Sequence, residues 1–367
     1  MTQPAGQPDR IGEVLDGKYR ITRIIGQGGM GAVYAGEHIR VKRTVAIKIL
    51  HAGANGVDEM AERFEREAQA AGKIGSEHIV EVYDLGMTAA GERFMVMEYL
   101  EGEPLRSRIK RQGRLSPGEI VGFFGELLEG LAGAHAAGII HRDLKPDNVF
   151  LVKEKAGRRD FVKILDFGIS KFTHMEDGAM TRTGVVMGSP NYMSPEHVKT
   201  SSEVDARSDL YSVGIMLFEA ASGQVPRKGA TFAELLFKVV YEPVPDVRTL
   251  APEVPAMLAQ IIHKACAAER SQRFQSAAEF RAALLGLGRE LEQQLAEAGT
   301  GRFVDETSGQ STVALSAAGL GPGFSSGVVA AGGTLAVPGF GAGSQPSFGA
   351  GSQPSFGAGS QPSFGAG

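Results

Sequence analysis

Residues 19–25 and 33–38 are rich in β-branched and aromatic side chains and read as two strands joined at a glycine-rich tip. Val45-Ala46-Ile47-Lys48 follows as an alternating strand that ends in a cation. Over residues 58–74 the spacing becomes helical. Phe64, Glu67 and Ala71 fall at i, i+3 and i+7 on one face, with Asp58 as N-cap and Gly75 just past the end. Residues 94–99 form an apolar strand that breaks into an acidic linker, Glu101-Gly102-Glu103. Residues 150–153 and 161–165 are two short apolar strands around a charged turn. His135 lies in an Ala-rich helix, where packing or anchoring a loop is its simplest use, and residues 209–214 belong to another helix. Residues 276–298 carry Leu284, Leu285, Leu287, Leu291 and Leu295 in a helical pattern closed by Gly299.

Beyond Glu306 no charged residue occurs, and the chain ends in octapeptide repeats of the form Ser344-Gln345-Pro346-Ser347-Phe348-Gly349-Ala350-Gly351. Such a sequence cannot bury enough surface to offset its ordering entropy, so residues 300–367 are expected to be disordered, a spacer in the simplest reading. Phe348, Phe356 and Phe364 would otherwise be weak stickers for a partner. With 38 Lys and Arg against 42 Asp and Glu, nothing points to nucleic acid or a membrane surface. A single cysteine, Cys266, excludes an internal disulfide and reads as a core thiol in a reducing compartment. The first ten residues hold no apolar core of a signal peptide, and Gly, Ser, Thr and Pro322 interrupt the most apolar stretch, residues 313–337. The expectation is a cytoplasmic protein without a membrane span.

His141-Arg142-Asp143-Leu144-Lys145-Pro146-Asp147-Asn148 gathers a carboxylate, an ammonium and an amide in one loop, the groups that phosphoryl transfer to a hydroxyl needs. Asp143 would orient the hydroxyl and accept its proton, Lys145 would neutralise the transferring phosphate, and Asn148 would hold a metal ion. A carboxylate suffices because a loose transition state asks for positioning more than for a strong base. Ile25-Gly26-Gln27-Gly28-Gly29-Met30-Gly31-Ala32-Val33 gives G-x-G-x-x-G-x-V. In dinucleotide folds that motif leads from a strand into a helix; here strands flank both sides, so it is a hairpin tip. Its glycines let backbone N–H groups approach phosphate oxygens, and Met30 would cap them. Asp166-Phe167-Gly168 follows the second apolar strand, with Asp166 as a hard oxygen ligand for a cation. Each motif alone is weak. Their joint order along the chain is specific.

Residues 19–287 thus resemble a eukaryotic-like serine/threonine protein kinase of bacterial type. The resemblance implies an α+β, bilobal fold: a small β-rich N-lobe with one helix and a larger helical C-lobe. Residues 1–18 would precede it as a flexible N-terminus and residues 288–299 would extend its last helix. It implies ATP with Mg²⁺ or Mn²⁺ as cofactors and Ser/Thr of proteins as acceptors, with transient homodimers for autophosphorylation in trans. Lys48 would grip the α- and β-phosphates beside Ala46. Of Glu62, Glu65 and Glu67, the last would brace it, because Glu65 lies about 200° around the helix at ~100° per residue. Met97 would stand behind the adenine as gatekeeper, and the backbone from Glu98 to Leu100 would read its edge. Ser194-Pro195-Glu196 stands where these kinases have A-P-E, with Arg273 as the expected partner of Glu196. Ser189 replaces the usual Thr, and Asp209 to Gly214 resembles the helix that anchors the catalytic loop, with Tyr211 in place of the usual Trp. Arg142 would dock a phosphorylated Thr181 or Thr183, making the loop between Asp166 and Glu196 a switch. A pseudokinase scaffold is disfavoured by the intact Lys48, Glu67, Asp143, Asn148 and Asp166. A small-molecule phosphotransferase is disfavoured by the intact loop and Ser194-Pro195-Glu196.

Overall fold

A computed structural model describes residues 10–28, 31–50, 64–65, 67–69, 71–167, 190–200 and 203–299. The N-terminal part is one antiparallel sheet in the order β1-β2-β3-β4-β6-β5, built from β1 (Val14–Leu15), β2 (Tyr19–Gly28), β3 (Gly31–His38), β4 (Arg43–Leu50), β5 (Val82–Met87) and β6 (Arg93–Glu98). Alternation sends each strand's side chains to two cores. Val45, Ile47 and Ile49 pack with Phe94 and Val96 on one face, while Ala46 and Leu50 pack with Met95, Met97, Phe64 and Ala68 on the other. Lys48 shares the parity of Ala46 and Leu50, so it faces the side on which Phe64 and Ala68 lie. The described part of that segment, residues 64–65, 67–69 and 71–73, is helical. Gly31 is fixed by packing, since a Cβ there would sit 2.2 Å from the Ile49 carbonyl oxygen.

The acidic linker expected at residues 101–103 is in part a strand. β7 (Gly102–Pro104) pairs antiparallel with β8 (Val149–Lys155), which pairs with β9 (Arg158–Ile164). Only glycine permits this approach, because a Cβ on Gly102 would lie 1.9 Å from the Leu151 carbonyl oxygen. Its charges are used locally: Glu103 accepts from Arg108 at 2.7 Å and from Arg111 at 2.5 Å.

Helices build the rest: α1 (Leu105–Gln112), α2 (Pro117–Ala136), the short α3 (Pro195–Lys199), α4 (Ala206–Ser222), α5 (Phe232–Tyr241), α6 (Ala256–Ala265) and α7 (Ala277–Gly299). A capping box opens α2: the Ser116 hydroxyl accepts from the Glu119 N–H, Glu119 accepts from the Ser116 N–H at 2.9 Å, and Pro117 takes the first turn. Phe124, Leu127 and Leu131 of α2, Ile215 and Phe218 of α4, and Phe280 and Leu284 of α7 share one core. α4 is buried from Ser208 to Ser222, which makes it the axis of this part. Gly299 ends α7 from within rather than closing it. Cys266 is a core thiol, pushed up to about 12 by burial. Among the described residues no helix is long and apolar enough to cross a membrane. Of the N-terminus expected to be flexible, residues 1–18, the first nine lie outside the described residues, whereas Val14–Leu15 is a strand paired with β2 and Arg10 pairs with Glu13 and Glu92. Residues 300–367, expected to be disordered, also lie outside the described residues.

Candidate active site

The Lys48 ammonium lies between two carboxylates, 3.1 Å from Glu67 Oε1 and 2.8 Å from Asp166 Oδ1. β4, the helical segment and the stretch after β9 each supply one member. Burial alone would lower Lys48, but Asp166 and Glu67 outweigh it and hold the lysine above its ordinary value. Glu67 is raised to about 7, first by burial and then by the nearby charge of Asp166, against the pull of Lys48. Glu65 turns elsewhere, 2.8 Å from Arg93.

The loop from His141 to Asn148 hangs from α4. Asp209, fully buried, accepts from the Arg142 N–H at 2.9 Å, the His141 N–H at 2.9 Å and His135 Nε2 at 2.8 Å. Burial would raise this carboxyl; His135 and the loop hold it below its usual value. These bonds support a strained backbone at Arg142, φ +66°, a region that costs a non-glycine residue about 1–3 kcal/mol; Asp166, at φ +45°, lies in the same region. His141 Nε2 lies 3.0 Å from the Leu165 carbonyl, and its ring packs 4.8 Å from the buried Phe167 ring. The loop and the stretch carrying Asp166 are thereby joined.

Asp143, nearly buried, lies 3.0 Å from Lys145 Nζ, and Asn148 Nδ2 donates to the Asp143 carbonyl at 2.8 Å. That bond fixes the Asn148 amide so that its oxygen is the atom left to serve as a ligand. No group of three or more His, Cys, Asp or Glu forms a metal cage among the described residues. A hard cation resting on Asp166, Asn148 and nucleotide phosphates fits this donor set, because Mg²⁺ uses few protein ligands.

In the hairpin of β2 and β3, among the described residues, a Cβ on Gly26 would meet nothing nearer than Val33 Cβ at 4.0 Å, and one on Gly28 nothing nearer than the Gly31 oxygen at 3.9 Å. Packing among the described residues does not require these two glycines. Their open space fits a phosphate cradle. Ile25 is exposed, Gln27 belongs to β2, and Ala32 and Val33 to β3, on the two sides of the tip. Met97 is buried opposite Ala46, and Glu98 is the last residue of β6 before Leu100. The Glu98 side chain turns inward, pairing with the buried Lys163 and accepting the Glu81 N–H at 2.9 Å, and the Glu98 N–H donates to the Glu81 carbonyl at 2.9 Å, so neither the side chain nor the N–H is left to read a ligand edge. Gly29, Met30, Gly168, Thr181, Thr183 and Ser189 lie outside the described residues.

Arg273 forks onto Glu196, Nη1 to Oε1 at 2.6 Å and Nη2 to Oε2 at 2.8 Å. Burial would raise Glu196, but Arg273 and Ser208 bring it down to about 2. Ser194 Oγ lies 2.7 Å from His197 Nδ1, and Tyr211 accepts from Arg227 at 2.8 Å. The resemblance places residues 209–214 on the helix that anchors the catalytic loop without saying which group holds it, and the structure shows the Asp209 carboxylate doing so; Lys163 was not singled out. Lys163 is detectable as a charge inside an otherwise apolar strand.

Comparison with known proteins places this geometry. The protein kinase domain model matches residues 19–282. The serine/threonine-protein kinase Pkn1 of Myxococcus xanthus is 39% identical over 278 residues, 75% of this chain and 39% of that protein. PrkC of Bacillus subtilis, also a serine/threonine-protein kinase, is 36% identical over 272 residues, 74% of this chain and 41% of that one. The chain therefore spans less than half the length of either relative. The crystal structure of the Mycobacterium tuberculosis PknI kinase domain superposes with a TM-score of 0.59 at 26% identity, covering 76% of this chain and 99% of that domain.

Proposed function

The chain belongs to the protein kinase family, and on that premise we propose that it transfers the γ-phosphoryl group of ATP to Ser and Thr hydroxyls of proteins. The observation that carries this reading is Lys48 held between Glu67 and Asp166, 3.1 and 2.8 Å away. A lysine so braced is positioned for phosphates rather than for bulk water. Residues 19–287 form the kinase domain in this reading, with 288–299 as a helical extension.

Ile25 to Val33, Ala46, Met97 and the main chain from Glu98 to Leu100 enclose the nucleotide, and Lys48 takes its α- and β-phosphates. Asp166 and Asn148 would hold Mg²⁺ or Mn²⁺, which would supply charge stabilisation to the nucleotide's phosphates. Asp143 orients the acceptor hydroxyl. The hydroxyl oxygen bonds to the γ-phosphorus as the bond to the bridging β–γ oxygen breaks, ADP leaves, and the hydroxyl proton passes to Asp143. Lys145 neutralises charge on the transferring group.

Activation follows from phosphorylation of Thr181, Thr183 or both, by a second copy in a transient dimer, with Arg142 receiving the phosphate. Reliance on ATP and a reduced Cys266 suits the cytoplasm, and proteins rather than nucleic acids are the partners. The test is incubation with labelled ATP, divalent metal and a protein acceptor, followed by phosphoamino-acid analysis. Label on Ser and Thr that disappears with Asp143→Asn is the expected result; equal label with that variant would overturn the reading.

A further inference from the structure

Arg106 of α1 sits in a seat built from three other parts of the chain. Its Nη1 donates to Glu219 Oε1 at 2.5 Å, its Nη2 to the Tyr192 hydroxyl, and its Nε and Nη2 each to Asp147 Oδ2 at 3.4 Å. Tyr192 closes the seat by donating to Glu219 Oε2 at 2.7 Å, and the guanidinium carbon lies 5.4 Å from the Tyr192 ring centroid. Glu219 and Tyr192 are buried, while Arg106 and Asp147 keep 31% and 48% of their side-chain surface exposed, so the seat opens to solvent on the Asp147 side.

Its position matters. Asp147 belongs to the turn Pro146–Asn148 and precedes Asn148, whose amide touches Asp143. Tyr192 lies in the turn Pro190–Tyr192 just ahead of Ser194-Pro195-Glu196. Glu219 lies on the helix that anchors the catalytic loop, ~15 Å along it from Asp209 at ~1.5 Å per residue. An extended peptide advances ~3.3 Å per residue, so a side chain within about four residues of the acceptor reaches this distance. Two carboxylates and an aromatic face are what a substrate arginine would need, because a guanidinium is bound bidentately and stacked. Here the chain's own guanidinium already holds that place.

We propose that Arg106 is a specificity-determining residue: it fills a guanidinium seat beside the acceptor centre and thereby turns the enzyme away from arginine at one nearby substrate position. This rests on the protein-phosphorylating reading above. Neutral side chains meet no competition at that position, whereas an incoming arginine has to expel Arg106 from two carboxylates.

The experiment uses the full chain and Ser/Thr peptides in which Arg or Gln is scanned through four positions on each side of the acceptor. The wild-type ratio of kcat/KM, Arg over Gln, should stay within about twofold everywhere. In Arg106→Ala one position should gain about tenfold for arginine, and Asp147→Asn added to that variant should remove the gain. A clamp that only ties α1 to α4 would lower the melting temperature without moving any ratio, and flat ratios in Arg106→Ala overturn the proposal. So does a wild-type enzyme that already selects arginine at the same position. Arg106→Gln, which keeps a donor to Glu219, is read identically should the alanine variant not fold. Absence of transfer to every peptide and protein by wild type would instead sink the kinase reading, so the two failures are distinct.

Discussion

The two halves of the site are held in different ways. Lys48, Glu67 and Asp166 meet through side-chain ion pairs, from three separate segments, with Asp166 about half exposed. Asp143 and its neighbours hang by main-chain bonds from Asp209, a carboxylate inside a helix buried from Ser208 to Ser222. A charge triad re-forms easily when a nucleotide and a cation enter, because its partners exchange without moving the backbone. A loop hung on a core helix keeps one geometry throughout. The difference suits a reaction in which one substrate brings its own charge and the other brings only a hydroxyl.

The strongest way to sharpen this contrast is to disable each half. Asp143→Asn should cut kcat by about 10²–10⁴-fold and leave ATP affinity within about twofold, because the acceptor side is separate. Lys48→Met should lose comparable activity together with ATP affinity. Calorimetric nucleotide binding beside steady-state kinetics distinguishes them, and parallel loss of ATP binding in Asp143→Asn would break the comparison.

Next in size is the core of the anchored half. Arg273→Met should destabilise the protein by about 3–5 kcal/mol, because it leaves Glu196 buried and unpaired. The pH dependence has a definite sign. Glu196 is held at about 2, below its ordinary value of 4.5, so its contribution is complete above about pH 4.5 and is lost as pH falls towards 2. Chemical denaturation across that window should show a shallower acid limb in Glu196→Gln than in wild type.

Asp209→Asn should cost about 2–3 kcal/mol, since the amide cannot serve three donors as a carboxylate does. Hydrogen exchange at the His141 and Arg142 amides should speed up with it, and unchanged protection there would remove Asp209 from its anchoring role. The smallest expected effect lies in the triad: Glu67→Gln should raise KM for ATP about tenfold while leaving the melting temperature within a degree or two. A large drop in stability would mean that the triad is as rigid as the loop.

Much of this was legible because it is local. Alternation reveals which side Lys48 takes, and i, i+3, i+7 spacing separates Glu67 from Glu65. The catalytic loop and the residues around Asp166 are contiguous runs whose chemistry can be read directly. What escaped is pairwise and distant. Lys163 with Glu98 and Arg106 with Glu219 join segments far apart in the chain, and a charge pair has no period to betray it; for Asp209 and His135 the anchoring role was legible but their pairing was not. The strand at Gly102 was hidden for another reason: an acidic, glycine-containing run carries a linker's composition, and only the approach of Leu151 makes it a strand.

The open space at Gly26 and Gly28 has a practical corollary for engineering. Alanine at either place collides with none of the described residues and narrows the conformational freedom of the unfolded chain, so it should be neutral or stabilising by up to about 1 kcal/mol. A library sorted only for heat resistance would therefore enrich such variants and discard nucleotide binding unnoticed. Any campaign to harden this protein needs a nucleotide in the selection, because packing among the described residues places no demand on those two positions.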